Sequence, residues 1–148
     1  MGLLDRLSGG GGPVRVGLFV DGPNVLRSEF DVDLADVRAV AADRGRLAVT
    51  RLYLDENATA GLIQAAEANG FEVVTTSGDV DVKLAVDATA AAVDDEIDLL
   101  AIASRDTDFK PVVEAAARRG VETFAIAPGE YGRSDALRTA AHDAVTLD

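Results

Sequence analysis

The stretch Leu99-Leu100-Ala101-Ile102-Ala103-Ser104-Arg105-Asp106-Thr107-Asp108-Phe109 decides the architecture of this chain. Its first five residues are apolar without the alternation of a half-solvated strand. They read as a strand buried on both faces, with helices on either side of the sheet. Outward from this stretch the pattern repeats, short β-branched runs alternating with alanine-rich helical segments, which signals βα units and a parallel sheet. The predicted strands are 14–20, 47–54, 71–75, 99–103, 121–127 and a short last one at 144–147. The predicted helices are 34–44, 58–69, 80–93, 109–119 and 134–141. Gly70 and Gly120 each lead a helix straight into the next strand, as a left-handed cap requires.

With 148 residues the chain suits one domain. Residues 1–13 read as a flexible leader, a short apolar-charged start followed by four glycines, and 14–148 as the domain proper. No apolar run is long enough to cross a bilayer and no signal-peptide stretch is present, so the expectation is a soluble, cytoplasmic protein. There is no cysteine and only one histidine, His142, which removes disulfides, thiolate metal sites and a serine–histidine triad. Any catalysis must run on carboxylates.

A formal charge of −12 argues against a simple basic nucleic-acid binder. Aspartate outnumbers glutamate, however, arginine outnumbers the two lysines Lys83 and Lys110, and alanine and valine replace larger apolar residues. That bias suggests a salt-adapted, halophilic source. At ~1 M salt the Debye length is only about 3 Å, so global repulsion of a polyanion would be screened and local contacts would decide binding.

The first strand stops at Asp21-Gly22-Pro23-Asn24, and the strand 99–103 runs into Ser104-Arg105-Asp106-Thr107-Asp108, which puts Asp106 and Asp108 just past its end. Each has a structural reading, turn chemistry for the first and helix capping or dipole compensation for the second. If the sheet order is 3-2-1-4-5, the first and fourth strands are neighbours, and Asp21 faces Asp106 across the switch-point crevice. Acids gathered there repel one another unless a cation is bound. All-oxygen donors favour Mg2+ or Mn2+. A fourth acid should come from Asp81 or Asp87. The six-residue step from one to the other turns through roughly 600° of helix, so the two cannot point the same way. Asp81, in the first turn after the expected cap Asp79, is preferred for the metal. Asp87, with Lys83 one turn before it, is the reserve.

Three motifs now add up: Phe19-Val20-Asp21-Gly22-Pro23-Asn24, the helix Asp81-Val82-Lys83-Leu84-Ala85-Val86-Asp87-Ala88, and Ser104-Arg105-Asp106-Thr107-Asp108-Phe109. Together they resemble the NYN domain, a branch of the PIN-like nucleases, from Val14 to the C-terminus. The resemblance implies a PIN-like three-layer α/β/α fold with a mainly parallel sheet in the order 3-2-1-4-5. It also implies a metal-dependent ribonuclease that hydrolyses RNA with one or two Mg2+ or Mn2+ ions. Asp21, Asp81, Asp106 and Asp108 fall on the family's acidic cluster, and Asn24 on its polar residue beside the first acid. Arg105 stands where the family more often has glycine; it could contact a substrate phosphate or neutralise the pocket by pairing with an acid.

Lys83, Arg105, Ser104, Tyr131 and Arg133 are the candidate substrate contacts, with Tyr131 able to stack on a base and Ser104 able to support the cluster by hydrogen bonds. RNA, structured RNA included, is the expected partner, a homodimer is open, and no membrane is implied. The rival is a non-catalytic RNA-binding or protein-interaction module on the same fold. A phospho-acceptor domain is disfavoured because only one aspartate precedes Gly-Pro-Asn. A dinucleotide site is disfavoured because the glycines 9–12 precede the first strand.

Overall fold

In the computed structural model the described residues are 13–26, 33–129 and 135–147. The leader up to residue 12, and Tyr131 and Arg133, lie outside them. Along the chain run β1 (Arg15–Asp21), a one-turn helix α1 (Gly22–Val25), α2 (Leu34–Ala42), β2 (Arg46–Asp55), α3 (Ala60–Ala68), β3 (Glu72–Thr76) and α4 (Val80–Val93). There follow β4 (Leu99–Ala103), a 3-10 turn (Thr107–Phe109) that continues into α5 (Lys110–Arg118), β5 (Glu122–Ala127), α6 (Asp135–Ala140) and β6 (Asp143–Thr146).

The six strands form one sheet in the order β3-β2-β1-β4-β5-β6, and every neighbouring pair is parallel. The expected order 3-2-1-4-5 stands, with β6 added beside β5 at the edge. Helix 80–93 and strand 99–103 have the expected bounds, and the other expected elements shift by one or two residues at an end. Gly70 and Gly120 take φ of +88° and +79°, the left-handed caps that bring the chain out of α3 and α5 into the next strand.

Side chains alternate across a strand, and that alternation divides the core. Val16, Leu18 and Val20 of β1 face Leu34, Val37 and Ala41 of α2 and Ala66 of α3. Phe19 faces the other way, with Tyr53, Leu100 and Ile102, onto Leu84, Ala88 and Ala91 of α4 and Val112, Val113 and Ala116 of α5. Asp21 has the parity of Phe19, so it belongs to the α4/α5 side. The connection from β3 to β4 crosses back past β1, and the chain therefore leaves the adjacent ends of β1 and β4 in opposite directions. A crevice opens between them at the carboxyl ends. No described helix is long and apolar enough to cross a membrane.

Gly22 sets how closely α1 follows β1. A Cβ there would lie 2.5 Å from the backbone oxygen of Tyr53 and 2.5 Å from Leu54 Cδ2, whereas one on Gly61 would meet nothing within 4 Å. Gly22→Ala is expected to lower the unfolding free energy by about 1–3 kcal/mol. Gly61→Ala, in α3, is expected to raise it by less than about 1 kcal/mol. Urea melts of the two variants beside the parent protein check both signs.

Candidate metal centre

Asp21 ends β1 with 1% of its surface exposed. Burial raises its pKa above the ordinary aspartate value; hydrogen bonds from Asn24 and Ser104 act against the rise, and the charge of Asp106 adds to it. The short helix after it explains the first bond. Pro23 preorganises the first turn of α1, and the turn brings Asn24 back over Asp21, so that Asn24 Nδ2 donates to Asp21 Oδ2 at 2.6 Å. Asp21 occupies the N-cap position of α1 without making a side-chain cap bond.

Ser104 follows the last residue of β4 and is also 1% exposed. Its Oγ donates to Asp21 Oδ2 at 3.2 Å and accepts the Asp106 N–H at 3.0 Å. Asp106 Oδ1 in turn accepts the Asp108 N–H at 2.9 Å, capping the 3-10 turn. The structural reading of Asp106 is therefore real, and it coexists with a place in the acid group. Ser104 is enclosed between two aspartates, a placement that suits support of the cluster and leaves it almost no surface for a substrate.

One carboxylate oxygen from each of Asp81, Asp106 and Asp108 lies within 4.8 Å of the others. Asp81 and Asp106 are half-buried and Asp108 is exposed. Asp81 comes from the first turn of α4; Asp79 holds the N-cap position without a side-chain cap bond. Asp21 lies outside this trio but lines the same crevice, a cavity of about 290 Å³ walled by Asp21, Asn24, Asp55, Asp79, Asp81 and Asp106. Asp55 is an addition to the expected set. It ends β2 as Asp21 ends β1, and that strand-end position was the signal that could have revealed it. The trio offers oxygen donors alone, which fits a hard divalent cation such as Mg2+ or Mn2+.

Asp87 is engaged elsewhere. Tyr53 Oη donates to Asp87 Oδ2 at 2.8 Å, Lys83 Nζ donates to Oδ1 at 3.2 Å, and Arg51 stands 4.0 Å away. The pair Lys83–Asp87 was legible from helical spacing; Tyr53, on another strand, was not. Lys83 is thereby turned along α4 toward Asp87. Arg105 Nε donates to Asn24 Oδ1 at 3.1 Å. It thus holds the polar residue beside the first acid. His142 has a structural place: its Nδ1 accepts the Thr123 N–H at 3.0 Å and its own N–H donates to Thr123 Oγ1 at 2.9 Å.

Comparison with known proteins gives three findings. Residues 15–148 match the NYN domain family. An uncharacterized protein of Methanocaldococcus jannaschii is 42% identical over 130 residues, which are 88% of this chain and 54% of that protein. The chain thus spans about half the length of the curated relative it matches. The crystal structure of a protein of unknown function from Vibrio parahaemolyticus has a TM-score of 0.77 at 22% identity, covering 91% of this chain and 93% of that one. At that identity the likeness speaks for the fold alone.

Two substitutions separate structural acids from the crevice. Asp21→Asn removes a buried negative charge and keeps an oxygen for Asn24 and Ser104; in metal-free buffer at pH 7 it is expected to raise the Tm by about 2–4 °C, read by calorimetry. Tyr53→Phe removes the hydroxyl that donates to Asp87 Oδ2, leaving Lys83 on Oδ1, and should cost about 1–2 kcal/mol at pH 7. Burial, then the bond to Asp87, raises the Tyr53 pKa. Its contribution is therefore full below the unfolded tyrosine pKa of about 10 and is lost as pH rises toward the folded value. The gap between wild type and Tyr53→Phe should accordingly narrow in melts taken above about pH 10.

Proposed function

The chain belongs to the NYN domain family of the PIN-like nucleases, and from that membership we propose that it is a metal-dependent endoribonuclease that hydrolyses RNA phosphodiester bonds. The observation that carries the reading is the meeting of Asp81, Asp106 and Asp108, from two distant segments, beside the crevice that also holds Asp21. These acids would hold one or two Mg2+ or Mn2+ ions. When bound, such an ion supplies Lewis-acid stabilisation of the charge that develops on the phosphate under attack.

The chain's own residues supply position. Ser104 and Asn24 fix the Asp21 carboxylate through Oδ2, and Arg105 holds the Asn24 amide with its NH2 turned to Asp21. Ser104 also ties the backbone of Asp106 to Asp21, which couples the end of β1 to the loop after β4. Asp108 stays exposed at the mouth, where an RNA phosphate would approach. Arg105 is the cation best placed beside the crevice for that phosphate, because Asn24 lines the cavity. The reading takes the protein as cytoplasmic, acting as a monomer or a homodimer.

One observation favours the second reading, a non-catalytic RNA-binding or protein-interaction NYN module. Arg105 occupies a position where the family more often has glycine, and it engages Asn24 beside the first acid. Labelled single-stranded and structured RNAs, incubated with Mg2+ or Mn2+ at low salt and at ~1 M salt, separate the two. Cleavage is expected to stop with EDTA and to fall at least about 100-fold in Asp106→Asn. RNA that is bound but left intact by the wild type under every one of these conditions would establish the binding module instead.

A further inference from the structure

A second opening joins the acid crevice over the end of β2. Pro23, Leu26, Leu54, Ala58 and Leu62 give it apolar walls, and Asp55 and Asn57 are its polar side chains. Leu26, Ala58 and Leu62 pack on the core between the sheet and α2 and α3, so this opening belongs to that layer, whereas Asp21 belongs to the α4/α5 layer. Pro23 and Asp55 line the opening and the crevice alike, which makes the two continuous.

The opening has a volume of about 180 Å³. Pockets that enclose a whole small-molecule ligand run to about 300–1,000 Å³, so this one suits a single flat ring system whose parent chain stays outside. Apolar walls with a few fixed polar groups are how proteins hold an unstacked base, its faces covered and its pairing edge hydrogen-bonded.

Local backbone structure fixes the acid at the rim. Asp55, the last residue of β2, accepts the Asn57 N–H on Oδ1 at 2.9 Å, and its carbonyl accepts the Ala58 N–H at 3.2 Å, the turn that leads toward α3. Among the described residues Asp55 Oδ2 and the Asn57 side-chain amide have no hydrogen-bond partner.

A carboxylate only accepts, and its two oxygens match two parallel donors. Of the four RNA bases guanine alone offers that pair, N1–H beside the N2 amino group. Adenine and cytosine carry a ring-nitrogen lone pair beside their amino group, and uracil has a carbonyl on each side of its N–H. Each of these three would set a lone pair against the carboxylate.

We propose that the opening is a guanine pocket, in which the base of a nucleotide next to the crevice donates N1–H and N2–H to Asp55 and accepts at O6 from the Asn57 amide. The proposal rests on the reading of the crevice as the seat of an RNA phosphate and gives that reading a substrate class, RNA with an unpaired guanosine. A paired guanine has its donor edge occupied and does not fit.

Three labelled single strands test it: an oligoadenylate, the same strand with one central guanosine, and the same with inosine at that place. Inosine differs from guanosine only in lacking the N2 amino group. Fluorescence anisotropy with the full chain in Ca2+, which like Mg2+ takes oxygen ligands, reads binding apart from turnover. The guanosine strand is expected to bind at least about tenfold tighter than the other two. In Asp55→Asn, checked for folding by a urea melt, one acceptor becomes a donor, and the three strands should bind within about twofold of one another. Should that variant fail to fold, guanosine against inosine on the wild type decides. A variant that weakens all three strands and keeps their ratio assigns Asp55 to the metal and overturns the proposal. Equal binding of the three by the wild type overturns it too, and leaves the nuclease reading intact where Mg2+-dependent cleavage persists. Guanosine selectivity without cleavage upholds the pocket and removes the nuclease, and no binding of any strand removes both.

Discussion

The site depends on one buried hydroxyl. Ser104 Oγ donates to Asp21 and accepts from the Asp106 backbone, so a single atom joins the end of β1 to the turn after β4. A carboxylate buried as deeply as Asp21 is tolerated because its oxygen receives two donors, Ser104 and Asn24. The sheet order makes this contact available. Were β1 and β4 not adjacent, Ser104 would have no acid to hold, and the Asp106 backbone would lose its link to β1.

From Ser104 outward, each group does two things. Asp106 caps the 3-10 turn with Oδ1, and another carboxylate oxygen remains for a cation. Asn24 closes the first turn of α1 and gives its NH2 to Asp21, while its carbonyl oxygen accepts Arg105. Structural and chemical readings of such residues therefore do not compete. The hydrogen bonds that cap a turn also fix the carboxylate orientation that a metal would require.

What was legible in the sequence followed from local chemistry. The unbroken apolar run of β4, the glycines ending α3 and α5, and Asp79 at the N-cap position of α4 placed those elements because each signal lies within a few residues of what it specifies. The strand-end acids were legible for the same reason. Asp55 was passed over although it ends β2, because nothing in its neighbourhood marks it beyond that position. Tyr53 with Asp87, and Arg105 with Asn24, are contacts 34 and 81 residues apart in sequence. Spacing along one helix shows Lys83 with Asp87 but cannot show a partner that arrives from another strand.

The same long-range contact bears on which acid faces the crevice. Beyond Val80 and Leu84 the buried residues of α4 are the alanines Ala88, Ala91 and Ala92, and such small side chains resist rotation about the helix axis weakly. On α4 the bond from buried Tyr53 to Asp87 adds a directional restraint that apolar contact lacks. With Asp87 held toward β2, the roughly 600° between it and Asp81 leaves the first-turn acid turned away toward Asp106 and Asp108. Asp87 therefore helps the acid cluster without joining it, because it fixes the rotation of the helix that presents Asp81.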